Sequence, residues 1–185
     1  QHWMDVDPRF SDAERIAHAV DDEHGLDVGV LRCGWFYAAD SAHTREFGER
    51  VAKRRLPIVG GGPLGRRDAR LSYLHVDDAA GAFVAAAEGD ATGTWHVVDD
   101  EPAAFAAFVR ALADRLDAPA PFRIPGWLAR FAVGREQARL VTTPMVTTND
   151  RFREAFDWEP AFPTYCEGLD EVVERWGEVG FRAVT

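Results

Sequence analysis

The segment Arg70-Leu71-Ser72-Tyr73-Leu74-His75-Val76-Asp77-Asp78 leads without a break into Ala79-Ala80-Gly81-Ala82-Phe83-Val84-Ala85-Ala86-Ala87. Leu71, Tyr73, Leu74 and Val76 predict a short, largely buried strand. Asp77 or Asp78 is then expected as the N-cap of a helix, its carboxylate accepting from the first free N–H groups. That helix is nearly all alanine, with Phe83 and Val84 as its large side chains, and Gly89 can end it. So smooth a helix is expected to lie very close to another backbone, as helices do on the face of a parallel sheet. The reading is an α/β fold.

Four segments, in order along the chain, resemble the extended short-chain dehydrogenases, the NAD-dependent epimerase/dehydratase family. The opening segment is similar to that family's R-x-F-x-H-V-D-D. Leu31-Arg32-Cys33-Gly34-Trp35-Phe36-Tyr37 resembles its strand and loop ending in Tyr-Gly-Pro. Gly93-Thr94-Trp95-His96-Val97-Val98-Asp99-Asp100-Glu101-Pro102 is similar to its G-x-x-Y-N-V-x-D-x-x-P, and Asp157-Trp158-Glu159-Pro160 with Gly168-Leu169 to its G-W-x-P … G-L. The resemblance covers nearly the whole chain. It implies the C-terminal part of a Rossmann-like parallel sheet plus a smaller α/β substrate-binding subdomain. Residues 1–40 would be the last elements of the Rossmann domain and 41–185 the substrate-binding subdomain, with 71–98 returning strands and a helix to the sheet.

The family's Gly-rich dinucleotide fingerprint and Tyr-x-x-x-Lys pair are not found in this sequence. Lys53 is its only lysine, and Tyr37, Tyr73 and Tyr165 all lie outside that spacing. The chain is therefore expected to be the C-terminal half of a longer enzyme. Aligning Ala13-Glu14 with the family's A-E pair puts Phe10 where the Lys belongs and Val6 where the Tyr belongs.

Composition bounds the function classes. At 185 residues, a single unit can bury about 70% of its unfolded surface. An apolar content of 46% excludes general disorder. The net charge of −10 argues against a nucleic-acid or anionic-membrane partner. Of the 21 basic residues all but Lys53 are arginine, against 31 acids, a balance expected of a high-GC, salt-adapted (halophilic) source. Cys33 and Cys166 are far apart, so a reducing cytoplasm is the expected compartment. No apolar run is long enough to span a bilayer.

Along the chain, Ser11-Asp12-Ala13-Glu14 predicts a capped helix to about His24, with Ala13, Ile16, Ala17 and Val20 inward and Gly25 as its stop. Asp27–Arg32 predicts a strand, followed by a loop, Cys33–Ser41, at the ligand-binding carboxyl edge. Thr44–Arg55 is expected as a helix packing through Phe47 and Val51, and Leu56–Val59 as a short strand. Gly60-Gly61-Gly62-Pro63-Leu64-Gly65 satisfies G-x-G-x-x-G literally. Pro63 and the charged Arg66-Arg67-Asp68 beyond it suit a flexible loop better than a phosphate turn. After the strand Thr94–Val98, a helix is expected from Pro102 through Phe105, Phe108, Val109, Leu112 and Leu116. Phe122–Ile124 is a short extended piece, and Trp127, Leu128 and Phe131 mark an apolar helix. Asn149 is expected to cap a short helix with Phe152 and Phe156 inward, and Thr164 to open the last helix with a capping box.

His75 with Asp77 looks like a metal pair on one strand face, but no third ligand stands at a helpful spacing, and a core histidine donating to backbone is the better reading. Ser11, Ser41 and Ser72 lack a G-x-S-x-G elbow, which excludes that hydrolase class. By resemblance, the loop Cys33-Gly34-Trp35 would touch the nicotinamide end of NAD or NADP. Trp35, Tyr37 and Arg70 would form the substrate wall, and Arg70 would grip substrate phosphates, with Arg66 and Arg67 nearby. No catalytic or metal-binding residue is assigned within the chain. Trp35 and Phe36 stand where nucleotide-sugar enzymes often carry Asn, so these rings either pack under the loop or meet a different substrate.

Two functions follow. One is the substrate-binding part of an NAD(P)-dependent epimerase, dehydratase or reductase acting on a sugar or sugar-nucleotide-like small molecule. The other is a non-catalytic relative that binds a dinucleotide or a protein, which Phe10 and Val6 favour. Alone, the chain is expected to bind NAD weakly or not at all. A homodimer is compatible with either.

Overall fold

Helix α1 (Pro8–His24) opens on a proline, whose fixed φ suits a first helical turn, and ends at Gly25 in the left-handed region (φ +60°). The computed structural model describes residues 8–59, 68–124 and 143–181. Val6, the Gly60–Gly65 loop, Arg66, Arg67, Trp127, Leu128 and Phe131 lie outside the described residues. Helix α1 starts upstream of the expected capping box, so Ser11 sits within it. Ile16, expected inward, is exposed. Glu14 ties α1 to the sheet instead, its carboxylate accepting from Arg32 Nε and Nη2 at 2.9 and 2.7 Å.

Strand β1 (Gly29–Cys33) and strand β6 (Gly93–Val97) run parallel, in register from Gly29↔Gly93 to Cys33↔Val97. The expected loop after β1 holds a further strand. There β2 (Trp35–Tyr37) pairs in parallel with β5 (Tyr73–His75). Gly34 explains the difference. Its N–H donates to Val97 O at 2.9 Å while the next N–H, from Trp35, donates to Ser72 O at 2.8 Å. One residue thus hands the chain from β6 to β5.

Three further strand pairings and contacts frame this centre. β3 (Ile58–Val59) runs parallel to β8 (Arg123–Ile124), and β4 (Arg70–Leu71) antiparallel to β7 (Ala103–Ala104). Met145 bonds both Arg70 O and Ser72 N–H from a further extended segment. Because Ala103-Ala104 serve first as a strand, the helix expected from Pro102 begins at Phe105 (α4, Phe105–Arg115). Phe105, Phe108, Val109 and Leu112 are buried as the spacing predicts.

Helix α2 (Ala42–Ala52) is capped by Ser41, whose Oγ accepts from the Thr44 N–H. Helix α3 (Val76–Glu88) corrects the opening expectation. Its N-cap is His75, whose Nδ1 accepts from the Asp77 N–H at 3.3 Å, and both aspartates fall in the first turn. Gly89 ends α3. The alanine face of α3 is buried through Ala79, Ala82 and Ala86, while Phe83 and Val84 point outward. Helix α5 (Asp150–Phe156) follows Asn149, whose amide makes no cap but donates to Val98 O and Asp100 Oδ1, each at 2.8 Å. Helix α6 (Tyr165–Glu178) opens with the Thr164–Glu167 capping box that the sequence predicts.

The core falls on two sides of β5, because successive strand side chains alternate between faces. Tyr73 joins Tyr37, Phe108, Leu112, Leu169 and Trp176 under α4 and α6. Leu74 joins Ala82, Val97, Phe152 and Trp158 under α3 and α5. No described helix is long and apolar enough to cross a membrane.

Candidate functional site

The β1–β2 crossing places Cys33, Gly34 and Trp35 at the carboxyl end of a parallel pair, the edge where open α/β sheets receive ligands. The amides of Gly34 and Trp35 are committed to Val97 and Ser72. A Cβ on Gly34 would stand 2.7 Å from Tyr73 O and 2.9 Å from Ser72 O, so only glycine fits. Gly34→Ala is expected to destabilise the chain by roughly 2–3 kcal/mol through overpacking. Denaturant melts of both forms measure it, and equal midpoints would contradict this geometry. Half-buried Cys33 keeps its proton, burial pushing the thiol up to about 11, so it is an apolar neighbour rather than a nucleophile.

Trp35 packs in an aromatic cluster with Phe105, while Arg70 lies on the strand that pairs with the residues just before it. The Trp35 ring lies 6.2 Å from Phe105 and 6.1 Å from His43, and Phe47 closes the box at 4.9 Å from His43 and 5.9 Å from Phe105. Arg70 faces Ala104 across the β4–β7 pair, next to Phe105. Its exposed guanidinium donates from Nε (3.2 Å) and Nη2 to Pro102 O, leaving Nη1 uncommitted among the described residues. Tyr37 lies beneath this rim. It is 1% exposed, edge-on to Phe108 and His75, and its hydroxyl would be 2.1 Å from a Cβ on Gly168. Phe36, on the opposite face, is exposed.

A polar layer lies under the rim. Because His75 Nδ1 accepts the Asp77 N–H, the ring hydrogen is on Nε2, which donates to Glu171 Oε2 at 3.2 Å. Atoms of His75, Asp77 and Glu171 fall within 4.8 Å of one another, which is metal-ligand spacing. His75 is buried as expected of a core histidine, but it accepts from backbone and donates to a side chain rather than donating to backbone, and Glu171 supplies the third group that the sequence spacing did not offer. Glu171 comes from 96 residues away, and no local spacing could have revealed it. Asp78, 4% exposed, reaches across to Ala161 and Phe162, accepting from their N–H groups at 2.7 and 3.1 Å.

Asp99 is the residue that sequence reasoning missed. It is 2% exposed, and neither carboxyl oxygen makes a hydrogen bond among the described residues. Burial pushes it up to about 8, although the nearby N–H groups of Tyr73 and Glu101 pull the other way. The hydroxyls of Tyr37 and Tyr73 are likewise buried without partners, and both are raised, first by burial and then by Asp99. Burial therefore disfavours the charged forms of Asp99 and of the two phenols together.

No family model matches the chain. Over 169 residues it is 38% identical to a 3-diazoavenalumate denitrifying reductase from a Streptomyces species, a match covering 90% of this chain and 53% of that protein. Among solved structures, a human epimerase family protein determined with NADPH aligns with a TM-score of 0.67 at 20% identity, covering 79% of this chain and 48% of that one. UDP-glucose 4-epimerase from Thermotoga maritima, determined with UDP-glucose, aligns with a TM-score of 0.67 at 18% identity, covering 91% and 52%. The chain thus spans about half the length of the proteins it matches, and its fold is the Rossmann-like α/β fold of these epimerases.

Proposed function

We propose that this chain is the C-terminal, substrate-binding part of a nicotinamide-dependent reductase on the epimerase/dehydratase fold, acting on a diazo-bearing organic carboxylate. The identity to a diazo-compound reductase along nine-tenths of the chain carries the reading. The rim agrees with it. Trp35, His43, Phe47 and Phe105 form a cluster of mutually tilted rings that could pack against a conjugated substrate, and Arg70 on β4 offers an exposed guanidinium donor for a carboxylate.

The residues at the sheet edge fit the nicotinamide ring rather than its phosphates. Cys33 is a neutral thiol, Phe36 an exposed ring, and the neighbouring amides are committed to the sheet. A reduced nicotinamide held there would supply a hydride, which at a carbon bearing a diazonium group would form the C–H bond as the C–N bond breaks and N2 leaves. Atoms, charge and electrons balance in that conversion for the diazonium cation, the form a neutral diazo compound takes on gaining one proton from solvent. It therefore tolerates Phe10 and Val6 at the positions where the family carries its Tyr–Lys pair.

The test is nicotinamide oxidation by the protein at the full length of its gene, with an arenediazonium carboxylate as acceptor. Net oxidation is expected. Trp35→Ala and Arg70→Gln should each raise KM about tenfold with a smaller effect on kcat. The likeness to a UDP-glucose epimerase favours a second reading, turnover of a nucleotide sugar. Turnover of UDP-glucose without net cofactor oxidation would select it.

A further inference from the structure

We propose that a cavity beside the outer edge of β6 is a binding site for a phosphate group. The cavity holds about 100 Å³ and is lined by Thr94, Trp95 and His96 of β6, by Thr147 and Thr148, and by Arg151 of α5. That space is large enough to admit a phosphate group. Three threonine hydroxyls and a guanidinium can donate into it, and no carboxylate lines it. Among the described strands β6 pairs with β1 alone.

Arg151 is placed for this task. Its guanidinium sits over the Trp95 ring, 5.2 Å from the centroid, and makes no ion pair among the described residues. Arg153, two residues on, differs: it pairs with both Asp100 and Glu159. The Trp95 ring is a fixed floor, its indole N–H donating to Thr92 O at 2.7 Å and its face set edge-on to Phe156 at 4.9 Å. In a chain with 31 acids and 21 bases, an unpaired guanidinium beside hydroxyl donors is a charge-assisted anion site. Donors arrive from two chain segments. A tetrahedral phosphate can engage both, whereas the two oxygens of a planar carboxylate lie in one plane.

The test is a titration of inorganic phosphate into the full chain at constant ionic strength, against chloride, followed by calorimetry and tryptophan fluorescence. Saturable binding is expected at one site, with little response to chloride. Arg151→Gln should weaken it about tenfold or more, as loss of a charged donor does. Arg151→Lys should keep part of it, and Thr147→Val with Thr148→Val should weaken it as well. Arg45→Gln, at a guanidinium that lies over Phe181 outside this cavity, should leave binding unchanged. Equal affinity in wild type and Arg151→Gln, or no saturable phosphate binding, overturns the proposal.

Discussion

Asp78→Ala is expected to lower the stability of the chain by about 3 kcal/mol, or roughly 6–12 °C in Tm. Asp78 sits in the first turn of α3, where a carboxylate suits the free N–H groups of the helix. It accepts instead from the Ala161 and Phe162 N–H groups, 83 and 84 residues away. Truncation leaves two part-buried amides without partners and unpins the segment leading into α6. Burial raises the carboxyl pKa while the two amides and His75 pull it down, so the net contribution is less than two fully ionic bonds would give. Asp77→Ala is the internal control. Its exposed side chain lies 3.8 Å from His75 Nδ1, and its loss should cost under about 1 kcal/mol. Thermal melts of both variants decide the matter. Equal effects would mean that the contact to Ala161 and Phe162 contributes nothing.

Asp99→Asn should remove a pH dependence of comparable size. In the folded chain this carboxyl holds its proton to about 8, while in the unfolded chain it releases it near 4. Between those limits the folded state binds more protons than the unfolded one. Stability therefore falls as pH rises through the window, by at most about 1.4 kcal/mol per unit, and levels off above it. The asparagine variant keeps the shape without the titration. The difference between wild-type and variant unfolding free energies should grow in the variant's favour from about pH 4 to about pH 8. Parallel curves would show that Asp99 ionises in the folded chain as it does in water.

The sequence made the strand–helix unit at residues 70–88 legible because alternation and a run of alanine are local signals. What it concealed depends on partners distant in sequence. An aspartate before a helix looks like an N-cap, but here His75 takes that role and frees Asp78 for residues 161–162. Gly34 looked like part of a loop; that it hands the chain between two strands follows from Val97 and Ser72. Pro102 looked like a helix start until Ala103-Ala104 found Arg70-Leu71 across the sheet. The same holds for the site. Trp35 and Arg70 could be named from the resemblance, but the packing of Trp35 on Phe105 and the pairing of Arg70 with Ala104 are products of topology, as is the placing of Glu171 against His75. Asp99 carried no local signal beyond an acid following Val97-Val98 at a strand end.

The most direct measurement of the proposed reaction uses nicotinamide deuterated at the transferable position. It follows where the label goes when the full-length protein meets an arenediazonium carboxylate. The expected result is deuterium at the carbon that lost nitrogen, with one N2 released per nicotinamide oxidised. Label retained in the cofactor pool, with no net oxidation and no N2, would contradict a reductase and return the chain to the nucleotide-sugar chemistry of its fold.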